Sequence, residues 1–155
     1  MAKFETSFLL TGEAATEELG ANIAKLLEPG DLLALSGELG AGKTTLARAI
    51  LRSLGVVELV PSPTFTLVQR YQTQALAVYH FDLYRLNGAR DMAELGLDEA
   101  LEDGAALVEW PENGLPARLL ADALRIMMIP AGKSRRGLRM SGPARWQRLV
   151  SEAGE

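Results

Sequence analysis

The chain has 155 residues, of which 48% are hydrophobic and 23% charged, and its net charge is −4. These values predict one globular domain over residues 1–155 and exclude a general electrostatic attraction to nucleic acid. There is no cysteine and only one histidine, His80, which excludes disulfides, thiolate chemistry and the usual zinc sites. No apolar run approaches the about 20 residues of a membrane-spanning helix. Because the amino terminus also lacks a secretory signal pattern, we expect a cytoplasmic protein with no membrane contact.

The first half of the chain alternates predicted strands and helices. Residues 4–10 are predicted as a strand, and residues 13–27 as a helix with one apolar face. The apolar run 31–36 suits a strand buried on both faces. A glycine-rich loop follows, and then a predicted helix over 43–54 that Gly55 closes.

The second half is richer in β-strand patterns separated by short turns, which are typical of hairpins. The predicted elements are, in order, a hairpin of strands 66–71 and 75–81, a helix over 90–102, a strand over 105–110, a hairpin of strands 123–129 and 136–141 through a turn at Gly132, and a final helix opened by Pro143. This order predicts an α/β fold class: a P-loop NTPase-like three-layer domain with a mixed, partly parallel central sheet.

The glycine-rich loop carries the sequence's most specific motif. Gly37, Gly42, Lys43 and Thr44 fit the pattern G-x-x-x-x-G-K-[ST], between a predicted strand and a predicted helix. In that context, glycines let main-chain N–H groups face phosphates, the lysine reaches the β- and γ-phosphates, and the threonine hydroxyl ligates Mg²⁺. The motif therefore predicts binding of ATP with Mg²⁺.

An enzyme of this class also needs an acidic residue near the metal. Two candidates follow predicted strands: Asp82, after Val78–Phe81, and Glu109, after Ala106–Val108. Either carboxylate could hold Mg²⁺ directly or through water, or orient the attacking water. The alternative for each is a solvated acid at a strand end.

Five segments together resemble the bacterial TsaE (YjeE) ATPases of tRNA N6-threonylcarbamoyladenosine biosynthesis. They are GELGAGKTT (37–45), SPTF (62–65), HFDLYR (80–85), ELGLDE (94–99) and VEWP (108–111). The resemblance spans about residues 5–140. It implies a Mg-dependent ATPase subunit that acts with the proteins TsaD and TsaB, and with tRNA through their complex, and that supports turnover without catalysing the transfer itself.

The resemblance also implies roles for particular residues. Lys43, Asp82 and Glu109 would be needed for hydrolysis, with Thr44, Glu109 and Asp82 at the metal. The residues implied in nucleotide binding are Glu13, Leu39, Gly40, Ala41, Gly42, Lys43, Thr44, Thr45, Thr64 and Arg136. Thr64 would sense the γ-phosphate, and Arg135 or Lys133 are alternatives to Arg136.

Other residues have structural alternatives. We expect His80 to be a hydrogen-bonded structural histidine more than a site residue, and Trp110 to pack on the sheet while Glu109 faces the nucleotide. Between Lys133 and Arg148 the chain has six basic residues and no acidic one. This stretch is either a solvated surface or a docking surface for the tRNA-modifying complex.

Two other functions compete with the ATPase subunit. The first is a P-loop small-molecule kinase, which would need an acceptor pocket and usually an arginine-bearing lid. The second is a nucleotide-gated binding module without useful hydrolysis. No Asn-Lys-x-Asp segment is present, which favours adenine over guanine.

Overall fold

The computed structural model describes residues 3–38, 40–57, 67–86 and 94–149, and the strands within these ranges form one seven-stranded sheet. The strands are β1 (Lys3–Thr11), β2 (Leu32–Gly37), β3 (Val68–Gln72), β4 (Ala77–Asp82), β5 (Gly104–Glu109), β6 (Leu124–Pro130) and β7 (Arg135–Pro143). The helices are α1 (Gly12–Leu26), α2 (Lys43–Ser53), α3 (Leu97–Asp103) and α4 (Ala117–Leu120).

The sheet is parallel at its centre and antiparallel towards both sides, in the order β1-β7-β6-β2-β5-β4-β3. Strand β2 lies parallel to both β5 and β6, and β4 lies parallel to β5. The outer pairs β1–β7, β6–β7 and β3–β4 are antiparallel. The carboxyl ends of β2, β4 and β5 therefore meet at one edge, where ligands of open α/β sheets bind.

Strand β2 shows how the sheet is covered on both faces. Its side chains alternate, so that Leu33 and Leu35 belong to one apolar cluster, shared with α1 and α2. Leu32 and Ala34 belong to a second cluster on the opposite face, with α3 and the segment around α4. All four side chains are buried. The continuous apolar run is thus explained by burial on both faces, and the predicted three-layer α/β fold is confirmed.

Both predicted hairpins are confirmed. Strands β3 and β4 pair antiparallel from Val68–Phe81 to Gln72–Ala77, and Thr73 closes their turn by donating its hydroxyl hydrogen to the carbonyl of Leu76 over 2.7 Å. Strands β6 and β7 pair through a turn that includes Gly132, whose φ is +104°. The helix α2 ends at Ser53, one residue before the predicted end, and Gly55 follows with a φ of +101°.

The helix predicted over 90–102 is interrupted within the described residues. Glu94 is helical, but Gly96 has a left-handed conformation with a φ of +76°, and α3 begins after it at Leu97. Residues 90–93 lie outside the described part of the chain.

The predicted final helix starts as a 3₁₀ turn at Ala144–Gln147, which follows Pro143. Trp146 and Leu149 are buried. Their spacing of three residues fits a 3₁₀ turn as well as an α-helix, since three residues complete one 3₁₀ turn. Each helix in the described ranges is too short or too polar to cross a membrane.

Candidate nucleotide-binding site

The loop between β2 and α2 is built on glycines with left-handed backbone angles. Gly37, Gly40 and Gly42 have φ values of +138°, +79° and +110°. A Cβ atom on Gly37 would collide with the carbonyl oxygen of Met128, and one on Gly42 would lie 2.7 Å from Nε of Arg136. Gly37 is therefore fixed as glycine by both its backbone conformation and the close backbone of Met128, whereas at Gly42 the backbone conformation is the main requirement and a Cβ would also displace the Arg136 side chain.

Lys43, the first residue of α2, lies across this loop. Its ammonium group donates hydrogen bonds to the carbonyl oxygens of Gly37 (2.5 Å) and Glu38 (2.9 Å). The same Nζ lies 4.2 Å from the centre of the Trp110 ring, a favourable cation–π contact. Burial lowers the pKa of Lys43, and the nearby carboxylates of Glu109, Glu112 and Asp82 oppose that shift.

Thr44, Glu109 and His80 form a buried hydrogen-bonded chain from the loop to the sheet. The hydroxyl of Thr44 donates to the carboxylate of Glu109, with distances of 2.8 and 3.1 Å to its two oxygens. Nε2 of His80 lies 2.6 Å from Oε2 of the same carboxylate. His80 is fully buried and Glu109 is 2% exposed. A solvated acid at a strand end is thus wrong for Glu109.

Asp82 lies beside Glu109 because these residues pair directly across the parallel strands β4 and β5. Its side chain is 4% exposed, so it too is not a solvated acid. One carboxylate oxygen of Asp82 accepts a hydrogen bond from the main-chain N–H of Tyr84 (3.0 Å). Asn113 stabilises this turn by donating to the carbonyl oxygens of Leu83 and Tyr84.

Trp110 packs against the second apolar cluster of the sheet, as predicted, but it is not part of the strand. The strand ends at Glu109, and Trp110 takes a left-handed conformation with φ +60° and ψ +51° before Pro111. This turn places the ring between Lys43 and Tyr84, whose ring centre is 4.9 Å away. The left-handed conformation is strained by about 1–3 kcal/mol for a bulky residue, and such strain concentrates at functional sites.

The start of α1 and the turn between β6 and β7 form the other side of the site. The N–H of Gly12 donates to the carbonyl of Ser134 over 2.7 Å, and Arg136 donates to the buried hydroxyl of Thr16 over 3.3 Å. Glu13 and Arg136 line a common cavity. The structure thus brings these two predicted residues together. The alternatives to Arg136, Arg135 and Lys133, are exposed and do not line this cavity or the cavity of the glycine-rich loop.

An open cavity of about 270 Å³ lies between the glycine-rich loop, the ends of β4 and β5, and Arg136. Its lining includes most of the predicted site residues together with two aromatic side chains: Gly40, Gly42, Lys43, Thr44, Thr45, Asp82, Tyr84, Glu109, Trp110 and Arg136. Ala41 is buried behind the loop, where its N–H donates to the carbonyl of Glu38. Leu39 and Thr64 lie outside the described residues.

Sequence reasoning missed Thr16, which accepts the hydrogen bond from Arg136. His80, predicted as a hydrogen-bonded structural histidine, contacts the carboxylate of Glu109, and Trp110 lines the cavity. The proximity of His80 to Glu109 could have been found, because the two residues follow neighbouring strands on the same face. Thr16 gives no sequence signal, since its role depends on the approach of β7 to α1.

The donor set fits a magnesium nucleotide. Mg²⁺ prefers oxygen ligands and is usually held by one or two carboxylates with substrate phosphates. Thr44, Glu109 and Asp82 supply such oxygens at one edge of the cavity.

Fold and loop together define this chain as a P-loop-like α/β domain. The model of the family "Threonylcarbamoyl adenosine biosynthesis protein TsaE" matches residues 10–138. The chain belongs to the TsaE family, and the resemblance seen in its motifs is confirmed.

Individual relatives agree with this assignment. The tRNA threonylcarbamoyladenosine biosynthesis protein TsaE of Streptomyces coelicolor is 47% identical over 112 residues, which cover 70% of this chain and 75% of the relative. The protein of the same name from Rickettsia felis is 42% identical over 105 residues, covering 67% of this chain but only 61% of the relative's length. The crystal structure of YdiB from Bacillus subtilis matches with a TM-score of 0.75 and 28% identity, covering 99% of this chain and 97% of that one.

Proposed function

We propose that this chain is a Mg-dependent ATP-binding and ATP-hydrolysing subunit of the machinery that makes N6-threonylcarbamoyladenosine on tRNA. It acts with TsaD and TsaB and supports their turnover without catalysing the transfer itself. Family membership supports the pathway, and the names of the relatives point to the same modification. The ATPase activity and the two partners rest on the site and on the resemblance in the motifs.

The observation that carries the proposal is the contact between Thr44 and Glu109. A buried carboxylate that accepts the hydroxyl hydrogen of the residue after the loop lysine is the arrangement that a phosphate-bound Mg²⁺ needs. Burying a carboxylate is costly unless it has partners. Here those partners, Thr44 and His80, aim the carboxylate at the cavity.

Different groups of the chain bind different parts of the nucleotide. The N–H groups of the loop and the first turn of α2 face the β- and γ-phosphates, with Lys43 as the positive charge. Arg136 and Glu13, which line the adjoining cavity at the start of α1, contact the rest of the nucleotide. Thr44 and Glu109, with Asp82 beside them, would hold Mg²⁺, which supplies charge neutralisation and orientation of the phosphates when bound.

Hydrolysis then depends on placing a water molecule in line with the γ-phosphate. Phosphoryl transfer is catalysed mainly through positioning and electrostatics. Asp82 and Glu109 are the buried carboxylates of the cavity, and one of them accepts a hydrogen bond from that water. Trp110 and Tyr84 cover the side of the cavity next to Lys43 and limit access of bulk water.

The test is a reconstituted modification reaction with TsaD, TsaB, tRNA, threonylcarbamoyl donor and ATP, with and without this chain. We expect one round of modification without the chain and repeated rounds with it, and Lys43→Ala should behave like its omission. Repeated rounds without the chain would contradict the proposal. Transfer of the γ-phosphate to a metabolite faster than to water would favour the small-molecule kinase instead.

A further inference from the structure

One face of the sheet at β1, β7 and β6 carries apolar side chains that are exposed. Residues paired directly across antiparallel strands share a face, and two such rows cross these strands: Leu9–Gly137–Ile129 and Ser7–Arg139–Met127. We call this surface the open sheet face. The opposite face of the same strands is buried against the cluster that contains α1.

The exposure of this face is concentrated in a few large side chains. Leu9, Met127 and Ile129 are 51%, 42% and 46% exposed. They make up three of the five exposed large hydrophobic side chains in the described ranges, and the other two are Val57 and Tyr84. Gly137 has no side chain between Leu9 and Ile129, so the row forms a flat apolar platform. Contiguous apolar patches of this kind mark interaction sites.

The open sheet face has a charge pattern unlike that of the whole chain. The chain has a net charge of −4. On this face of the three strands, however, there are three arginines, Arg125, Arg135 and Arg139, and one acidic residue, Glu5. Two copies of the chain facing each other here would bring arginines together, which disfavours self-association. By contrast Arg145, from the same basic stretch, pairs with Glu28 and Asp31 and lies over Trp146, so it serves the fold.

A groove connects the open sheet face to the nucleotide site. Two adjoining cavities of about 230 and 340 Å³ share Met127 and Glu112. The first contains Arg125 and Arg139, and the second reaches Glu38 and Trp110. The carbonyl of Glu38 and the ring of Trp110 both contact Lys43. An occupant of this groove therefore touches residues that hold the phosphate-binding lysine.

We propose that the open sheet face and its groove dock a protein segment of the modification complex in a way that responds to bound ATP. The segment carries apolar side chains over Leu9, Met127 and Ile129, acidic residues over the arginines, and a basic residue near Glu38 and Glu112. RNA fits less well, because its phosphates would approach those two carboxylates and because the platform has no aromatic ring for base stacking. The inference rests on the proposed function for the identity of the complex.

The first test replaces Met127 by the photo-crosslinking residue benzoylphenylalanine in the full chain, mixed with TsaD, TsaB, tRNA and ATP. The matched control carries the same residue at Val57, which is also exposed. We expect ATP-dependent crosslinks to TsaD or TsaB from position 127 and none from position 57. Crosslinks to tRNA or to a second copy, or no crosslink although the complex forms, would overturn the inference.

The second test measures the affinity of the complex with a double variant, Met127→Glu with Ile129→Glu. Because central apolar contacts dominate interface energies, binding to TsaD and TsaB should weaken about tenfold or more. ATP affinity and hydrolysis by the variant alone should stay as in the wild type, and Val57→Glu should bind the partners normally. Normal binding of the double variant would contradict the docking surface.

A third measurement separates this inference from the proposed function. If the wild-type chain forms no complex with TsaD and TsaB, the proposed function loses its partners, and the surface is tested with a peptide. The probe is a short peptide with aspartates, then leucines, then lysines, titrated into labelled protein and followed by nuclear magnetic resonance. We expect chemical-shift changes at the resonances of Leu9, Met127 and Ile129, and we expect these changes to vanish when lysines replace the aspartates of the peptide. Equal or absent shifts with both peptides would overturn the inference.

Discussion

At the scale of single residues, Glu109 connects the glycine-rich loop and the start of α2 to the sheet. Its carboxylate accepts a hydrogen bond from Thr44 and lies against His80, and all three side chains are held at the carboxyl edge of the parallel strands. Lys43 is held nearby by two carbonyl oxygens and the ring of Trp110. Each of these contacts can be removed by one substitution.

The substitution Glu109→Gln keeps the shape of the side chain and removes its charge. We expect ATP to bind still, while Mg-dependent hydrolysis falls on the order of 10²-fold, because a metal ligand or base for water is lost. Phosphate release at saturating ATP and Mg²⁺ measures the effect, with the exposed Glu102→Gln as control. An unchanged rate would show that Glu109 serves the fold alone.

The substitution Lys43→Ala removes a charged donor from the loop. Losing this contact should weaken ATP binding by about 1.5–3 kcal/mol, the usual contribution of a hydrogen bond to a charged group. Isothermal titration calorimetry gives the affinity, and Lys25→Ala, an exposed lysine on α1, is the matched control. Equal ATP affinity in both variants and the wild type would rule out Lys43 as a phosphate ligand.

The lowered pKa of Lys43 predicts a pH dependence of ATP binding. Burial lowers this pKa, so the ammonium loses its proton at a lower pH than an ordinary lysine does. Phosphates favour the charged form, and ATP affinity should therefore fall as pH rises through the pKa of Lys43, with proton uptake on binding. Calorimetry in two buffers measures that uptake. Lys43→Arg stays charged and should show no such fall; the same pH dependence in both proteins would contradict this assignment.

At the scale of elements, the glycine loop before α2 sets the geometry of the site.

The substitution Gly42→Ala should lower the stability of the protein by about 1–2 kcal/mol, because residue 42 has a left-handed backbone conformation. It should also weaken ATP binding, because the new Cβ meets the side chain of Arg136. Gly132→Ala is a close control, since Gly132 has a φ of +104° and open space around its Cα. Thermal denaturation and calorimetry should show similar losses of stability in both variants and a loss of ATP affinity in Gly42→Ala alone. Equal ATP affinity in both would contradict the role of this close approach.

Much of this element structure follows from local sequence patterns. The strand–loop–helix unit around Gly42, both hairpins and the buried strand β2 are each encoded by a short run of residues, so the sequence predicted them. The break at Gly96 was missed because the apolar spacing continues across it, while its left-handed backbone ends helical geometry. The strand over 105–110 was predicted one residue too long, because Trp110 takes a left-handed conformation directly after Glu109.

The contacts that complete the site were less predictable, because they depend on how distant elements pair. Arg136 reaches the loop because β7 pairs with β6. Thr16 accepts a hydrogen bond from Arg136 because α1 packs nearby. The family resemblance, not local pattern, indicated Glu13 and Arg136. Glu13 and Arg136 line a common cavity because of the order of the strands in the sheet. No single segment of the sequence specifies that order.

At the scale of the whole molecule, the mixed sheet separates the candidate nucleotide site from the open sheet face. The parallel centre collects Lys43, Thr44, Asp82 and Glu109 at one edge. The antiparallel side exposes the open sheet face, and the groove past Trp110 joins the two. Glu38 and Trp110 line this groove and also contact Lys43, so under our proposal a docked segment and a bound nucleotide affect the same lysine.

The most direct measurement of the central claim is ATP hydrolysis by the purified chain, alone and then with TsaD and TsaB, using Lys43→Ala as the blank. The account predicts slow hydrolysis alone, a clear rise when both partners are present, and none with the Lys43→Ala variant. No rise with the partners, together with no ATP-dependent complex in gel filtration, would contradict it.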